Sequence, residues 1–103
     1  MIAIETDRLV QQSSAAAELL RALANEQRLL ILCHLAANRE LSVSALGERI
    51  ALSQSALSQH LARLREDGIV AFRREAQSIF YHIADDKAAR LLTVLHEIYC
   101  PEL

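Results

Sequence analysis

The sequence predicts a mainly α-helical fold with one small β-hairpin, in the order ααααββα. Three observations carry that expectation. The 103 residues include one proline and two glycines, so breaks are few and helix dominates. The stretch 52–68 has Leu57, Leu61 and Leu64 at i, i+4 and i+7, which makes one apolar stripe along a helix. After Gly68 the pattern changes: Ile69-Val70-Ala71-Phe72 and Ile79-Phe80-Tyr81-His82-Ile83 are β-branched and aromatic runs of strand type. An apolar fraction of 52% supports a real core, and the length fits one domain over 1–103.

The elements follow in order. A first helix is expected over about 6–24, where Leu9, Ser13, Ala16, Leu20 and Leu23 fall at helical spacing and Ala15-Ala16-Ala17 has high helix propensity. Asn25 is placed to cap the second helix, with Glu26 in a first turn that favours negative charge. That helix runs to about Ala37, and Leu29-Leu30-Ile31-Leu32-Cys33 is apolar nearly all round, which predicts a central, buried helix stopped at Asn38. Glu40-Leu41-Ser42 reads as a short extended link. Ser42 then caps a short helix from Val43 to Ile50, with Val43, Leu46 and Ile50 on one side. Gly47 inside it costs about 1 kcal/mol relative to alanine, which a close helix–helix contact would explain. Ala51-Leu52 turn the chain into 52–68, where Ser53 is the expected N-cap and Gly68 the C′ residue.

The hairpin that follows carries a charged tip, Arg73-Arg74-Glu75-Ala76-Gln77-Ser78. Asp85 or Asp86 caps a last helix to about Tyr99, ended by Pro101. Ala88, Leu91, Leu92, Leu95, Ile98 and Tyr99 are too many apolar positions for a peripheral helix. The first and last helices together would form a layer best covered by a second copy of the chain, a homodimer.

Composition narrows the function. No apolar run approaches the roughly 18 residues of a membrane span. The start, Met1-Ile2-Ala3-Ile4-Glu5-Thr6-Asp7-Arg8, places acids before any apolar run, unlike a secretory signal, so a cytoplasmic protein with no membrane partner is expected. The net charge of −2 does not advertise a nucleic-acid binder, but residues 53–74 hold four arginines against two acids. Distribution matters more than the sum.

Two helices with a three-residue joint make a helix-turn-helix over 43–66, and the arginine-bearing hairpin makes it winged. Gln54, Ser55, Ser58 and Gln59 lie away from the leucine stripe and can both donate and accept toward base edges in a major groove of double-stranded DNA. His60, Arg63, Arg73 and Arg74 are expected to hold the phosphate backbone. Beside that, His60 can serve helix packing, and Arg73 and Arg74 can be a solvated hairpin edge that blocks pairing. No phosphate loop, nucleophile elbow or Ser/His/Asp constellation is present, so neither enzyme nor cofactor is expected. A protein–protein adaptor of the same fold is the other class, and salt-dependent DNA affinity separates the two.

Cys33 and Cys100 allow two readings, inert core thiols or a redox pair. In a reducing compartment a structural disulfide is not the default. Cys33, among Leu and Ile, should have its thiol pKa raised by burial. Cys100 sits at a helix C-terminus near Glu97, which disfavours a thiolate, while His96 one turn earlier can accept its proton. His96, Cys100, Cys33 and His34 would nominally give a metal two nitrogen and two sulfur ligands.

Leu23-Ala24-Asn25-Glu26-Gln27-Arg28-Leu29-Leu30-Ile31-Leu32 and Ser58-Gln59-His60-Leu61-Ala62-Arg63-Leu64-Arg65-Glu66-Asp67-Gly68-Ile69-Val70, in this element order, resemble the ArsR/SmtB family of dimeric winged-helix repressors. The likeness covers nearly the whole chain. It implies a symmetric dimer, with the first and last helices at the interface, on an inverted-repeat operator. The two recognition helices would lie about 34 Å apart.

Many members sense metals. In the segment where one such site has cysteines, this chain has Ser42 and Ser44, and hydroxyls are poor ligands for thiophilic ions. The other site, paired acids and histidines on the last helix, is also broken: Lys87 stands where a histidine would be needed between Asp85-Asp86 and His96-Glu97. No metal ligand set is therefore assigned. Cys33 before His34, and Cys100 in Tyr99-Cys100-Pro101, look like the HlyU/BigR/SqrR/YgaV branch. That likeness implies sensing of reactive sulfur species or oxidants, the two thiols becoming linked by a disulfide or short sulfur bridge and the repressor leaving DNA. A metal-responsive repressor and a regulator with inert cysteines are the alternatives.

Overall fold

The computed structural model describes residues 6–100. The elements run α1 (Thr6–Gln11), α2 (Ser13–Leu23), α3 (Glu26–Asn38), β1 (Glu40–Ser42), α4 (Val43–Arg49), α5 (Gln54–Glu66), β2 (Val70–Glu75), β3 (Ser78–Ile83) and α6 (Asp86–Tyr99). This is a winged helix-turn-helix. Two additions correct the expected order: the first helix divides, and the link at 40–42 is a strand.

The division lies at Gln12. Its N–H is shared between the carbonyls of Arg8 and Leu9 at 3.0 and 3.2 Å, and the Ser13 hydroxyl donates to the Val10 carbonyl at 2.8 Å. A hydroxyl bonding back into the preceding turn competes with the helix ladder and bends it. The Ala16 N–H donates to the Gln12 carbonyl at 2.9 Å, so the ladder resumes at once.

Helix starts follow the sequence closely. The side chains of Asn25, Ser42 and Ser53 accept from the N–H groups of Arg28, Ala45 and Ala56 at 3.0, 3.0 and 3.1 Å. Asp85, rather than Asp86, caps α6, accepting from Lys87 and Ala88 at 2.8 and 3.3 Å. Each satisfies amide donors that a helix leaves unpaired. α5 closes as expected on Gly68, whose φ is +74°. The Ile69 N–H reaches the Leu64 carbonyl and the Gly68 N–H reaches the Arg65 carbonyl, both at 3.0 Å, the paired bonds of a Schellman cap. Gly47 is different: a Cβ there would meet only Leu57 Cδ2 at 3.9 Å, so no close contact demands a glycine. Pro101 lies outside the described residues.

The sheet is antiparallel in the order β1-β3-β2. Ser42 belongs to two elements, pairing with Phe80 as the end of β1 and capping α4 through its hydroxyl. β2 and β3 pair from Val70↔Ile83 to Glu75↔Ser78, so the strands run through the expected charged tip. Only Ala76-Gln77 form the loop, with Ala76 at φ +55°. A two-residue hairpin loop needs a left-handed residue to match the strand twist, and here alanine takes that role.

Ile31, Leu32 and Leu35 of α3, Leu46, Leu61, Leu64 and Ile69 form the centre of the core. α3 is central but not buried all round, because Leu30 and Cys33 on its outer side are exposed. Of the expected first-helix stripe, Leu23 enters the core whereas Leu9 and Leu20 face outward. Arg28 fastens the corner between α2 and α3: its Nε donates to the Ala22 carbonyl at 2.7 Å and its Nη2 to the Arg21 carbonyl at 3.1 Å.

Candidate nucleic-acid interface

Leu57, Leu61 and Leu64 are at most 2% exposed, which fixes the rotation of α5 about its axis. The rotation leaves Gln54, Ser55, Ser58 and Gln59 exposed and His60 half-buried at the flank. Arg63 is exposed and its Nε donates to Asp67 Oδ2 at 3.1 Å, an i,i+4 ion pair. Such surface pairs contribute little to stability, and the guanidinium stays accessible. An open groove of about 510 Å³ runs between α4, α5 and the hairpin; Ser44, Gln54, Ser58, Arg65 and Gln77 are among its lining residues. Arg65 lies outside the set of residues that the sequence marks for DNA contact. Its signal was helical register, because Ser58, Ala62 and Arg65 recur at i, i+4 and i+7.

The wing arginines differ from each other. Arg73 Nη2 and Nε contact Glu40 Oε1 and Oε2 at 2.6 and 3.1 Å, and its Nη1 contacts Glu75 Oε2 at 2.6 Å. Its guanidinium also lies 4.6 Å from the Phe80 ring centroid. The Arg73 hydrogen bond holds the Glu40 carboxyl below its ordinary range, against the opposing effect of desolvation. The same contacts, Glu40 first and then Glu75, raise the Arg73 pKa. Arg74 lies 6.0 Å and Arg65 lies 5.3 Å from the centroid of Phe72. Neither forms an ion pair among the described residues. Phe72 in turn packs on Tyr81 at 5.6 Å.

The cysteines are not core thiols. Cys33 lies on the outer side of α3, and Cys100 ends α6 with its N–H on the His96 carbonyl at 2.7 Å. Both are exposed, yet enough protein surrounds Cys33 to push its thiol pKa up. Partial burial is the larger cause, and the charge of a Cys100 thiolate is the second.

The model of the arsR family of bacterial regulatory proteins matches residues 25–71, from the cap of α3 into β2. The transcriptional activator HlyU of Vibrio cholerae is 52% identical over 90 residues, covering 87% of this chain and 82% of its own. The chain belongs to the arsR family. Another relative of this ArsR-family chain, the biofilm growth-associated repressor of Agrobacterium fabrum, is 47% identical over 87% of this chain and 76% of its own. The solved structure of reduced HlyU from Vibrio cholerae superposes with a TM-score of 0.84 at 50% identity, covering 90% of this chain and 97% of that one.

Ser42 has a structural task. Its oxygen caps α4. Among the described residues no three His, Cys, Asp or Glu side chains gather as a metal ligand set. Cys33, His34, His96 and Cys100 are therefore not assembled as the four-ligand site considered from the sequence. No helix of the described residues is long and apolar enough to cross a membrane.

Proposed function

We propose that this chain is a cytoplasmic homodimeric repressor whose 103 residues act as one DNA-binding domain under the control of two thiols. The observation that carries the reading is the rotation of α5. Its leucines are buried and its Gln and Ser side chains are held outward on a helix capped at both ends. Gln54, Ser55, Ser58 and Gln59 read base edges in an inverted-repeat operator, while His60, Arg63 and the wing hold the backbone.

Dimerisation is supported by the apolar side chains that one chain leaves in water. Leu9 and Val10 on α1, Leu20 on α2, and Val94, Ile98 and Tyr99 on α6 are all exposed. Covering such side chains is favourable, and exposed apolar surface is typical of association sites. Both an activator and a repressor occur among the named relatives. A dimer seated on an operator represses most simply by occluding it.

Control through Cys33 and Cys100 is supported by their exposure as free thiols. It is also supported by a relative whose structure is described in a reduced form. Joining the thiols as a disulfide gives two electrons and two protons to the oxidant. Two persulfide molecules can instead each transfer an outer sulfur to one cysteine and leave as thiols; condensation of the two protein persulfides then gives a trisulfide bridge and releases hydrogen sulfide. Either link constrains α6 against α3 and alters the relation of the two reading heads in the dimer. The test is operator binding with mass spectrometry, before and after persulfide treatment, on wild type, Cys33→Ser and Cys100→Ser. Oxidised wild type is expected to bind less tightly and neither variant to respond. Added sulfur mass would identify a polysulfide bridge. A Cys33→Ser protein that still leaves DNA refutes the pair mechanism.

A further inference from the structure

The pleat of the wing separates its two arginines. Along a strand successive side chains point to opposite faces. In the observed register Arg73 lies across from Phe80, which lies across from Ser42 on the far strand; Glu40 and Glu75 share that face by two-residue steps. The other face carries Val70, Phe72 and Arg74 from β2, Tyr81 from β3 and Leu41 from β1. Val70, Tyr81 and Leu41 are buried, so this is the face turned to the helices, and Arg65 of α5 meets Phe72 there.

The electrostatics divide the same way. Arg73 is held by two carboxylates and one aromatic ring, with a bidentate fork to Glu40 from a residue 33 positions away in sequence. That fork spans all three strands, since β3 lies between β2 and β1. A phosphate approaching Arg73 meets two negative charges already in place. Arg65 and Arg74 flank one ring, exposed and without carboxylate partners among the described residues. Two like charges gathered on one ring, one from the reading helix and one from the wing, favour a shared anion.

We propose that Arg65 and Arg74, braced on Phe72, bind a DNA backbone phosphate, and that Arg73 is a positioning residue that locks the wing to β1 through Glu40. The proposal rests on the DNA-binding reading and adds to it the distribution of roles within the wing.

The test uses the full chain and a fluorescein-labelled duplex selected by the wild-type protein from a random-sequence library, with affinity measured across salt concentrations. Arg65→Ala and Arg74→Ala are each expected to lower the slope of log K against log salt, by up to about 0.9 for each phosphate no longer neutralised. Arg73→Ala is expected to leave the slope as in wild type while weakening binding by the same factor at every salt concentration. Arg73→Lys keeps a charge that can meet phosphate but lacks the fork geometry, so it should behave like Arg73→Ala.

Glu40→Gln should also weaken binding in parallel with wild type. A rise in affinity on Glu40→Gln would show Arg73 being released to phosphate and overturn the proposal. A flattened slope for Arg73→Ala restored by Arg73→Lys, or unchanged slopes for both Arg65→Ala and Arg74→Ala, would overturn it too. A wild-type protein with no salt-dependent affinity for any duplex would instead remove the DNA-binding reading itself. Should Arg73→Ala fail to fold, Arg73→Lys and Glu40→Gln carry the same decision.

Discussion

Residues 40–83 and the terminal helices differ in how much of their apolar side-chain surface they leave in water. In the first region Leu41, Leu46, Leu57, Leu61, Leu64, Ile69, Val70 and Tyr81 are buried, and an arginine fork ties the wing to the strand that leads into α4. In α1, α2 and α6, Leu9, Val10, Leu20, Val94, Ile98 and Tyr99 face water. One chain thus covers most of the apolar side chains of 40–83 and leaves a larger share of those on the terminal helices in water. The two cysteines fall outside residues 40–83, Cys33 on the outer surface of α3 and Cys100 at the end of α6. Under the proposed mechanism, a signal there acts on exposed side chains outside 40–83 and not on the buried side chains of that region.

Paired substitutions test that contrast. Leu64→Ala, at a side chain with no exposure, is expected to cost about 2–5 kcal/mol by thermal or denaturant unfolding. Ile98→Asp should preserve the circular dichroism of the fold but shift sedimentation toward a single chain. Equal damage to folding from both would break the contrast. Next in size is Gln59→Ala, expected to relax sequence preference at one base pair by about 1–3 kcal/mol. Measured over a panel of operators, uniform weakening would remove its base-reading role.

Asp85→Ala removes the acceptor for two amides at the start of α6. A loss of about 1 kcal/mol is expected, with the head's DNA contacts unchanged at temperatures where the protein is folded. The smallest effect concerns the thiols. Because the Cys33 pKa is raised, its neutral form is favoured by folding. That preference contributes stability below the unfolded-state pKa, and the contribution is lost as pH rises through the higher folded-state value. The alkylation rate of Cys33 should therefore rise at a higher pH than for an ordinary thiol. Cys100→Ser, which removes the neighbouring charge, should move that rise toward lower pH; an unmoved profile would mean the sulfurs do not interact.

The sequence was most legible where structure is decided within a few residues. Asn25, Ser42, Ser53 and Asp85 cap their helices because a short acceptor three positions ahead of a free N–H is a local arrangement. Gly68 was readable for a similar reason, since a left-handed cap after a helix favours glycine. The leucine stripe also gave the rotation of α5, and so the exposed face on which Gln54, Ser55, Ser58 and Gln59 lie.

Other features depend on distant partners or carry no local mark. β1 is three residues long and becomes a strand only through β3. The hairpin loop has alanine in the left-handed position, with none of the Asn-Gly or Asp-Gly chemistry that announces such a loop. An all-apolar run on α3 could not reveal that Leu30 and Cys33 face outward. Arg73 read like Arg74 because its partner Glu40 comes from a different element.

The double duty of Ser42 has a mechanical consequence. A residue that ends a strand and caps the next helix leaves no spare backbone between them to serve as a hinge. The sheet and α4 are joined as a plate is welded to a bracket, and Gly68 with its two cap bonds makes a comparably tight joint between α5 and β2. The tight joint at Gly68 means that a torque on the wing is felt by α5, and the joint at Ser42 ties the same sheet to α4. Such a head is better suited to being displaced as one piece than to being bent out of shape.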